Sequence, residues 1–224
     1  YKDIILNNIL KLNDDGTYNL NTKICDYHLA LRNKFTKKMI NLFGNPRIKN
    51  KKLLQKHVDI AASVQCAFEI TLIHLLKFAK LKFPLINKLV LSGGCALNVT
   101  ANGELLKSNL FKEIIIPPAP HDAGCAIGAV IAGIENKFKL NLNSIRNPYL
   151  GQNYSSDTIL KEISKFTDFI PKRLDDLSLI KKTVQFLIQG KIIAWFQHKS
   201  EFGPRALGAR SFLADPRNDS IQNE

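Results

Sequence analysis

Hydrophobic positions that recur every three or four residues predict one long helix in the first half of the chain. The apolar residues on one face of this helix are Ala61, Val64, Phe68, Leu72 and Leu75. Their spacing follows the 3.6-residue period of an α-helix over residues 54–80. Such a stripe is typical of a helix that packs on a hydrophobic core, so we expect this helix to be buried.

Short apolar runs predict strands, and each of them lies next to a predicted helix. Residues 88–91 (KLVL) and 113–116 (EIII) are interpreted as strands, each followed by a glycine-containing turn and a helix. A third strand, residues 191–196 (KIIAWF), follows a helix that Asp175 or Asp176 caps. Strands that alternate with helices are typical of an α/β fold.

The composition allows a soluble protein with a hydrophobic core. The chain has 224 residues, of which 45% are hydrophobic and 23% are charged. The longest apolar run, residues 123–134, is too short to cross a bilayer, and the first residues lack the pattern of a secretory signal. The cysteines are Cys25, Cys66, Cys95 and Cys125. Their wide spacing suits a reducing compartment, so we expect a cytoplasmic protein with no membrane partner.

The positive charge is concentrated in the first quarter of the chain. Of the formal net charge of +13, residues 1–56 contribute +8, from ten lysines and two arginines against four aspartates. Nucleic acid, an anionic surface or small anionic substrates would each suit such a charge. The lysines are not interleaved with aromatic residues as in a single-strand binding groove. We therefore favour a solvated basic face and expect no nucleic-acid partner.

Two glycines follow the first predicted strand and lead into a helix. In the segment LVLSGGCALN, the turn consists of Ser92, Gly93 and Gly94. Glycines let backbone N–H groups approach a ligand, and a helix N-terminus favours negative charge, so this turn would suit a phosphate. By itself this is a weak signal, because a double glycine between a strand and a helix is more often just a tight connection.

The second strand leads into the segment PPAPHDAGCAIGA, which places His121 and Asp122 before another predicted helix. Loops at the carboxyl ends of neighbouring strands share one crevice in α/β sheets. We therefore expect Asp122 to face the same ligand as Gly93 and Gly94. Aspartate is also a favoured N-cap, so its spacing alone fits a cap as well as a ligand.

The segment SEFGPRALGARSFLADPR follows the third strand and is rich in arginine, glycine and proline. Gly203 and Gly208 permit unusual backbone angles, and Pro204 stiffens the turn between them. The guanidinium groups of Arg205 and Arg210 can bind a phosphate or carboxylate bidentately. This combination predicts an oxyanion site.

A hydroxyl and two carboxylates in the same segment bear on this interpretation. The hydroxyl of Ser211 can add a hydrogen bond to the bound anion. The alternative is a surface loop whose arginines pair with Glu201 and Asp215, although surface ion pairs rarely need so stiff a loop.

These three segments together resemble the carbamoyltransferases of the nodulation and antibiotic-biosynthesis type, and QKHVDIAASVQCAFE on the long helix resembles that family too. The resemblance implies an actin-like ATPase-fold domain, similar to tRNA threonylcarbamoyl transferases. It also implies a second domain similar to enzymes that make threonylcarbamoyl adenylate. Members form carbamoyl adenylate from ATP and carbamoyl phosphate and pass the carbamoyl group to a hydroxyl of a small molecule.

The resemblance also implies roles for individual residues. It implies a nucleotide-binding turn with Ser92, Gly93, Gly94 and Asn98, a metal-binding Asp122, and a catalytic anion-binding loop with Arg205, Arg210 and Ser211. The implied cofactors are ATP and a divalent metal ion, with iron among the candidates, and carbamoyl phosphate is the implied co-substrate. The implied partner is a small-molecule hydroxyl acceptor.

The resemblance covers only part of the family's length. No HxxH metal pair occurs in the chain, and the first ATPase subdomain has no counterpart. We therefore expect the second half of an actin-like ATPase-fold domain over residues 1–136, a linker over 137–157 and a truncated α/β C-terminal domain over 158–224. A longer chain or another polypeptide would supply the missing halves.

Two other functions fit the sequence less well. A tRNA-modifying relative would suit the basic first quarter, but the tRNA transferases as a rule leave the activity of the arginine loop to a separate protein. A non-catalytic module would bind nucleotide without turnover.

Overall fold

The structure, a computed structural model, describes residues 1–24, 35–138, 147–168, 170–218 and 221. The chain divides into two compact units, Tyr1–Ile116 and Pro117–Glu224. Each unit combines helices with short paired strands.

The helices and strands are short except for one helix. The helices are α1 (Lys2–Asn8), α2 (Lys37–Phe43), α3 (Gln55–Lys82), α4 (Val99–Lys107), α5 (Gly124–Phe138), α6 (Ser156–Ile163) and α7 (Asp176–Ile188), with a 3-10 helix over Gly94–Leu97. The strands are β1 (Leu10–Leu12), β2 (Tyr18–Leu20), β3 (Lys88–Val90), β4 (Glu113–Ile115), β5 (Ile193–Phe196) and β6 (Arg210–Leu213).

The core of the first unit forms where α1 and β1 pack against α3. Ile5, Leu10 and Ala67 are buried there, one from each element. Strand β1 pairs antiparallel with β2, with Leu10 opposite Leu20. The hairpin thereby joins the N-terminal helix to the long helix.

The turn of this hairpin docks on α3. Gly16 has φ +83°, and a Cβ at this position would clash with the Phe78 side chain. Nε2 of His74 donates a hydrogen bond of 2.9 Å to the carbonyl oxygen of Asn13. Backbone angle and close packing therefore both require glycine at this turn.

Helix α3 lies where the sequence predicts it, but the prediction that its apolar stripe is buried is wrong. Ala61, Val64 and Leu75 are exposed, and the other two stripe residues are half-buried. Four of the five, all except Ala61, line an open apolar cavity of about 850 Å³. Periodicity identifies the apolar face of a helix, but it does not say what covers that face.

By length and composition alone, α3 is the one helix among the described residues that could cross a membrane. Core helices of soluble proteins pass the same test, so this property is weak support for a span. In the structure α1, β1 and α4 all contact α3. The helix thus forms the platform on which the first unit packs.

The two predicted strands are β3 and β4, and they pair in parallel, with Lys88 opposite Glu113. Helix α4 connects them on one side, and its Leu105 and Ala101 are 0% and 1% exposed. The predicted order of strand, turn, helix and strand is therefore confirmed for this part of the chain.

The second unit contains an antiparallel hairpin of β5 and β6, with Phe196 opposite Arg210. The predicted cap of α7 is confirmed, because the Ser178 N–H donates to Oδ1 of Asp175 at 2.9 Å. Gly190 follows the helix with φ +74°, which favours glycine at a helix end. Strand β6 lies within the loop segment and was not predicted.

The mixture of helices and small two-stranded sheets confirms the α/β class in its coarse form. The actin-like ATPase-fold domain and the boundaries at residues 136, 137–157 and 158 stay predictions. Part of the predicted linker, residues 139–146, lies outside the described residues, as does Cys25.

Leu105→Ala should destabilise the first unit by about 2–5 kcal/mol, because a fully buried leucine leaves a cavity when truncated. The neighbouring Leu106 is 63% exposed and offers a matched control, for which Leu106→Ala should cost well under about 1 kcal/mol. Urea denaturation of the three proteins measures both changes. Equal losses for the two variants would contradict the packing of α4.

Candidate functional site

The glycine turn after β3 is open to its surroundings. Gly93 has φ +92°, a conformation that favours glycine, and no atom lies within 4 Å of a Cβ built on Gly93 or Gly94. Ser92 is exposed beside them. The turn therefore leaves space for a ligand next to its backbone, and Gly93 is required by its backbone angle rather than by crowding.

Asn98 lies after the glycine turn, at the start of α4. Its Oδ1 accepts a hydrogen bond from the Ala101 N–H at 3.1 Å, which caps α4. The Asn98 amide also exchanges two hydrogen bonds with the Gln65 amide of α3, at 2.9 and 3.1 Å. Most of its hydrogen-bonding capacity is thus used to fix the start of α4 on the long helix.

Asp122 lies just before α5 in the second unit. Its carboxylate is exposed and makes no hydrogen bond or ion pair with the residues that the structure describes. The turn around it is tight, since a Cβ on Gly124 would meet the carbonyl oxygen of Ala119. Among the described residues, no backbone N–H donates to this side chain, so it does not cap the helix.

A metal ion would need more ligands than this turn provides. Nδ1 of His121 is buried without a hydrogen-bond partner, next to Asp122 in sequence. The described ranges contain no group of three or more His, Cys, Asp and Glu side chains that could hold a metal. The described residues of this chain therefore do not by themselves fit a metal ion.

A carboxylate organises the arginine-rich loop between β5 and β6. Oε1 of Glu201 accepts hydrogen bonds from the N–H groups of Leu207 at 2.7 Å, Ala209 at 2.8 Å and Arg210 at 3.3 Å. These bonds, that from Leu207 first, lower the pKa of Glu201 to about 2. The carboxylate is therefore ionised at neutral pH and closes the loop on itself.

Arg210 is built into the hairpin. Its guanidinium donates to the carbonyl oxygens of Gln197 at 2.9 Å and His198 at 3.1 Å, and to its neighbour's carbonyl at 2.8 Å. It also lies over the Phe196 ring, with Cζ 3.4 Å from the ring centroid. Such a stack adds a cation–π attraction, so this guanidinium holds the two ends of the loop together.

Arg205 differs from Arg210 in its surroundings. It is exposed, and its side chain makes no hydrogen bond or ion pair within the described part of the chain. Oγ of Ser211 accepts a hydrogen bond from the Gly208 N–H at 2.9 Å, which leaves the hydroxyl hydrogen available to donate. The loop therefore offers one unengaged guanidinium and one hydroxyl donor.

The interpretation of this segment as a set of surface ion pairs holds only at its end. Asp215 accepts from Nε of Arg217 at 2.9 Å. The Glu201 carboxylate instead binds loop backbone. Neither Arg205 nor Arg210 is neutralised by a carboxylate among the described residues.

Neighbouring segments of the second unit support the loop. The Phe202 N–H donates to the Pro148 carbonyl oxygen at 2.7 Å, and the Tyr149 hydroxyl donates to the Leu207 carbonyl oxygen at 2.9 Å. Gly203 has φ +131°, and a Cβ there would lie 2.5 Å from the carbonyl oxygen of Pro118. The structure thus brings the loop against the proline-rich segment that precedes Asp122.

The sequence-predicted residues fall into two groups. Ser92, Gly93, Gly94 and Asn98 lie in the first unit, and Asp122, Arg205, Arg210 and Ser211 lie in the second. Sequence reasoning missed Gln65, Tyr149 and Phe196, and gave Glu201 no backbone role. Their partners lie 33, 58, 14 and up to nine residues away, so no local pattern marks them.

Glu201→Gln should remove an acid-sensitive contribution to the stability of the second unit. The folded pKa of about 2 lies below the ordinary value of 4.5, so the ionised carboxylate stabilises the fold above that value. The contribution is lost as the pH falls toward 2. Urea denaturation from about pH 2 to pH 7 should show wild type and variant converging at the acid end. A gap that is constant with pH would contradict this role.

Two protein-family models match the chain. The model described as Carbamoyltransferase N-terminus matches residues 1–131, and the one described as Carbamoyltransferase C-terminus matches residues 184–224. The first includes the glycine turn and Asp122, and the second includes the arginine-rich loop.

Curated relatives agree with these matches. The uncharacterized protein sll1178 of Synechocystis sp. is 38% identical over 231 residues, which cover 100% of this chain and 37% of the relative. The nodulation protein NolO of Bradyrhizobium diazoefficiens is 38% identical over 76% of this chain and 31% of its own length. The 3'-hydroxymethylcephem-O-carbamoyltransferase of Streptomyces clavuligerus is 31% identical, over 61% of this chain and 25% of its own length.

The chain therefore spans between a quarter and little more than a third of the length of these relatives. Because the N-terminal family model covers more than half of its residues and the C-terminal model follows in order, this chain belongs to the carbamoyltransferase family.

Proposed function

We propose that this chain forms part of an enzyme that transfers a carbamoyl group to a hydroxyl of a small molecule. In the proposed reaction, water first cleaves carbamoyl phosphate into carbamate and inorganic phosphate. A carbamate oxygen then attacks the α-phosphate of ATP and displaces pyrophosphate, which gives carbamoyl adenylate. The acceptor hydroxyl then takes the carbamoyl group and releases AMP.

The main support for this proposal is the guanidinium of Arg205. It is exposed and makes no hydrogen bond or ion pair with the described residues, on a loop whose backbone is held by Glu201. A phosphate-bearing substrate needs fixed positive donors, and an arginine that no carboxylate neutralises can supply them without first breaking an ion pair. A relative named as an O-carbamoyltransferase supports the choice of a hydroxyl acceptor.

The other predicted residues have distinct proposed roles around this cation. The Ser211 hydroxyl would donate to the same anion. Arg210 would shape the loop through its backbone contacts rather than bind substrate with its whole guanidinium. These roles separate the group that touches the substrate from the group that holds it in place.

The turn at Ser92, Gly93 and Gly94 would bind the nucleotide phosphates through its open backbone, with Asn98 fixing the helix behind it. Asp122 would be one ligand of a divalent metal that is completed by residues outside those described here. ATP and carbamoyl phosphate remain the proposed substrates.

The chain spans about a third or less of the length of its relatives, so the complete activity would need residues from a longer chain or a second polypeptide. We propose that these residues close the nucleotide cleft. We also propose a cytoplasmic location and a small-molecule partner rather than a nucleic acid or a membrane.

The test of the reaction is ATP–pyrophosphate exchange that depends on carbamoyl phosphate. It is run on this chain and on a chain extended at both ends to the length of the relatives. We expect exchange in the extended chain alone, because adenylate formation needs both walls of the cleft. If neither protein exchanges although circular dichroism shows both folded, the carbamoyl adenylate reaction is wrong.

Arg205→Ala should weaken the binding of carbamoyl phosphate by about 2 kcal/mol, close to 30-fold in Kd, because charge-assisted hydrogen bonds are lost. Isothermal titration calorimetry measures this change. Arg217→Ala is the matched control, since it removes the same charge from a guanidinium already paired with Asp215. Equal losses for the two variants would show that general charge, and not the loop, binds the anion.

A further inference from the structure

The backbone of the arginine-rich loop is fixed at one atom. A single carboxylate oxygen, Oε1 of Glu201, accepts three N–H groups from Leu207, Ala209 and Arg210. Hydrogen bonds to an ionised acceptor are about twice as strong as those between neutral groups. The intervening residues are thereby closed into a ring that begins and ends at this side chain.

The ring places Arg205 between two fixed points. Gly203 and Gly208 have φ +131° and +93°, which let the chain reverse on either side of the arginine. Pro204 restricts the backbone directly before it. The Arg205 side chain makes no hydrogen bond or ion pair with the described residues, so the position of its guanidinium depends on the backbone that carries it.

The negative charge of Glu201 does not neutralise the guanidinium of Arg205. Its hydrogen-bonded oxygen is directed at backbone N–H groups, and no ion pair joins it to Arg205 or Arg210 in the described part of the chain. A neutral acceptor would hold the three N–H groups less firmly. A shorter carboxylate would have to move the backbone to reach them.

We propose that Glu201 is a positioning residue for anion binding, which acts by holding the loop backbone that carries Arg205. This inference rests on the proposed function of the loop. Glu201 itself would not touch the ligand, so its effect should depend on the arginine that does.

The test is a double-mutant cycle with Glu201→Gln, Arg205→Ala and the double variant. Carbamoyl phosphate and inorganic phosphate serve as probes, and NMR titration of this chain at constant ionic strength gives each Kd. We expect Glu201→Gln to weaken binding about tenfold in the presence of Arg205 and less than about twofold in its absence. A merely structural role would lower affinity equally in both backgrounds, which would overturn the inference.

Glu162→Gln is the matched control for charge. Glu162 lies in the same unit and pairs with Lys165 on the surface, away from the loop in sequence. Its replacement removes the same negative charge without touching the loop, so it should leave the Kd for both probes within about twofold of wild type. An equal effect of Glu162→Gln would overturn the positioning role.

Amide hydrogen exchange gives a readout that needs no ligand. The N–H groups of Leu207, Ala209 and Arg210 should exchange about tenfold faster in Glu201→Gln, and the same increase should appear in Glu201→Asp. Unchanged exchange would overturn the anchor even if affinity falls.

The two proposals fail in different ways. If the wild-type chain binds neither probe, the proposed anion site is wrong, and the positioning role that rests on it is wrong too. If Arg205→Ala lowers the affinity but Glu201→Gln does not, the anion site stands and the positioning role alone is wrong.

Discussion

Beyond the hydrogen bond from the Gln197 N–H to the Ala209 carbonyl oxygen, the loop between β5 and β6 lies outside the ladder of its own strands, so side chains satisfy much of its backbone. The Glu201 carboxylate accepts hydrogen bonds from three N–H groups of the loop. The Arg210 guanidinium, at one end of the loop, donates to carbonyl oxygens at the other end. The hydroxyl of Tyr149, which lies in a neighbouring segment, donates to one more carbonyl oxygen of the loop, that of Leu207. Backbone groups without partners would be costly in a partly buried loop, and these contacts remove that cost. Because the structural contacts are made by these groups, Arg205 is left unengaged.

The parts of the fold that could be predicted are those with strong local signals. Helix α7 has a side-chain cap at Asp175 and a glycine at its end, and α3 has a long periodic pattern. Strands of three or four residues, such as β1, β2 and β6, are too short for alternation to be distinguished from chance. Strand β6 also begins at Arg210, and an arginine in a glycine-rich segment indicates a binding loop rather than a strand.

The residue types of the proposed site were predicted from the sequence, but the contacts that these residues make in the structure were not. Arginines between glycines indicate an anion site, yet nothing local distinguishes Arg205 from Arg210. The difference comes from the partners of Arg210, since Gln197 and Phe196 approach it only after the hairpin closes. The pairing of Asn98 with Gln65 likewise joins residues 33 positions apart. The apolar stripe of α3 was likewise only partly predictable, because a sequence pattern identifies the apolar face of a helix but not which residues pack on that face.

Arg205 and Arg210 differ in their contacts, and this difference affects how a loss of activity in a variant of the loop should be interpreted. In the proposed anion site, replacing either one would reduce activity. The loss of Arg205 would remove a contact with the anion, and the loss of Arg210 would release the loop that carries Arg205. A loss of activity therefore does not show which of them touches the substrate. Stability distinguishes them: Arg210 donates to three carbonyl oxygens and stacks on an aromatic ring, whereas Arg205 makes no hydrogen bond or ion pair with the described residues. A group that binds ligand is dispensable for the fold, and a group that builds the site is not.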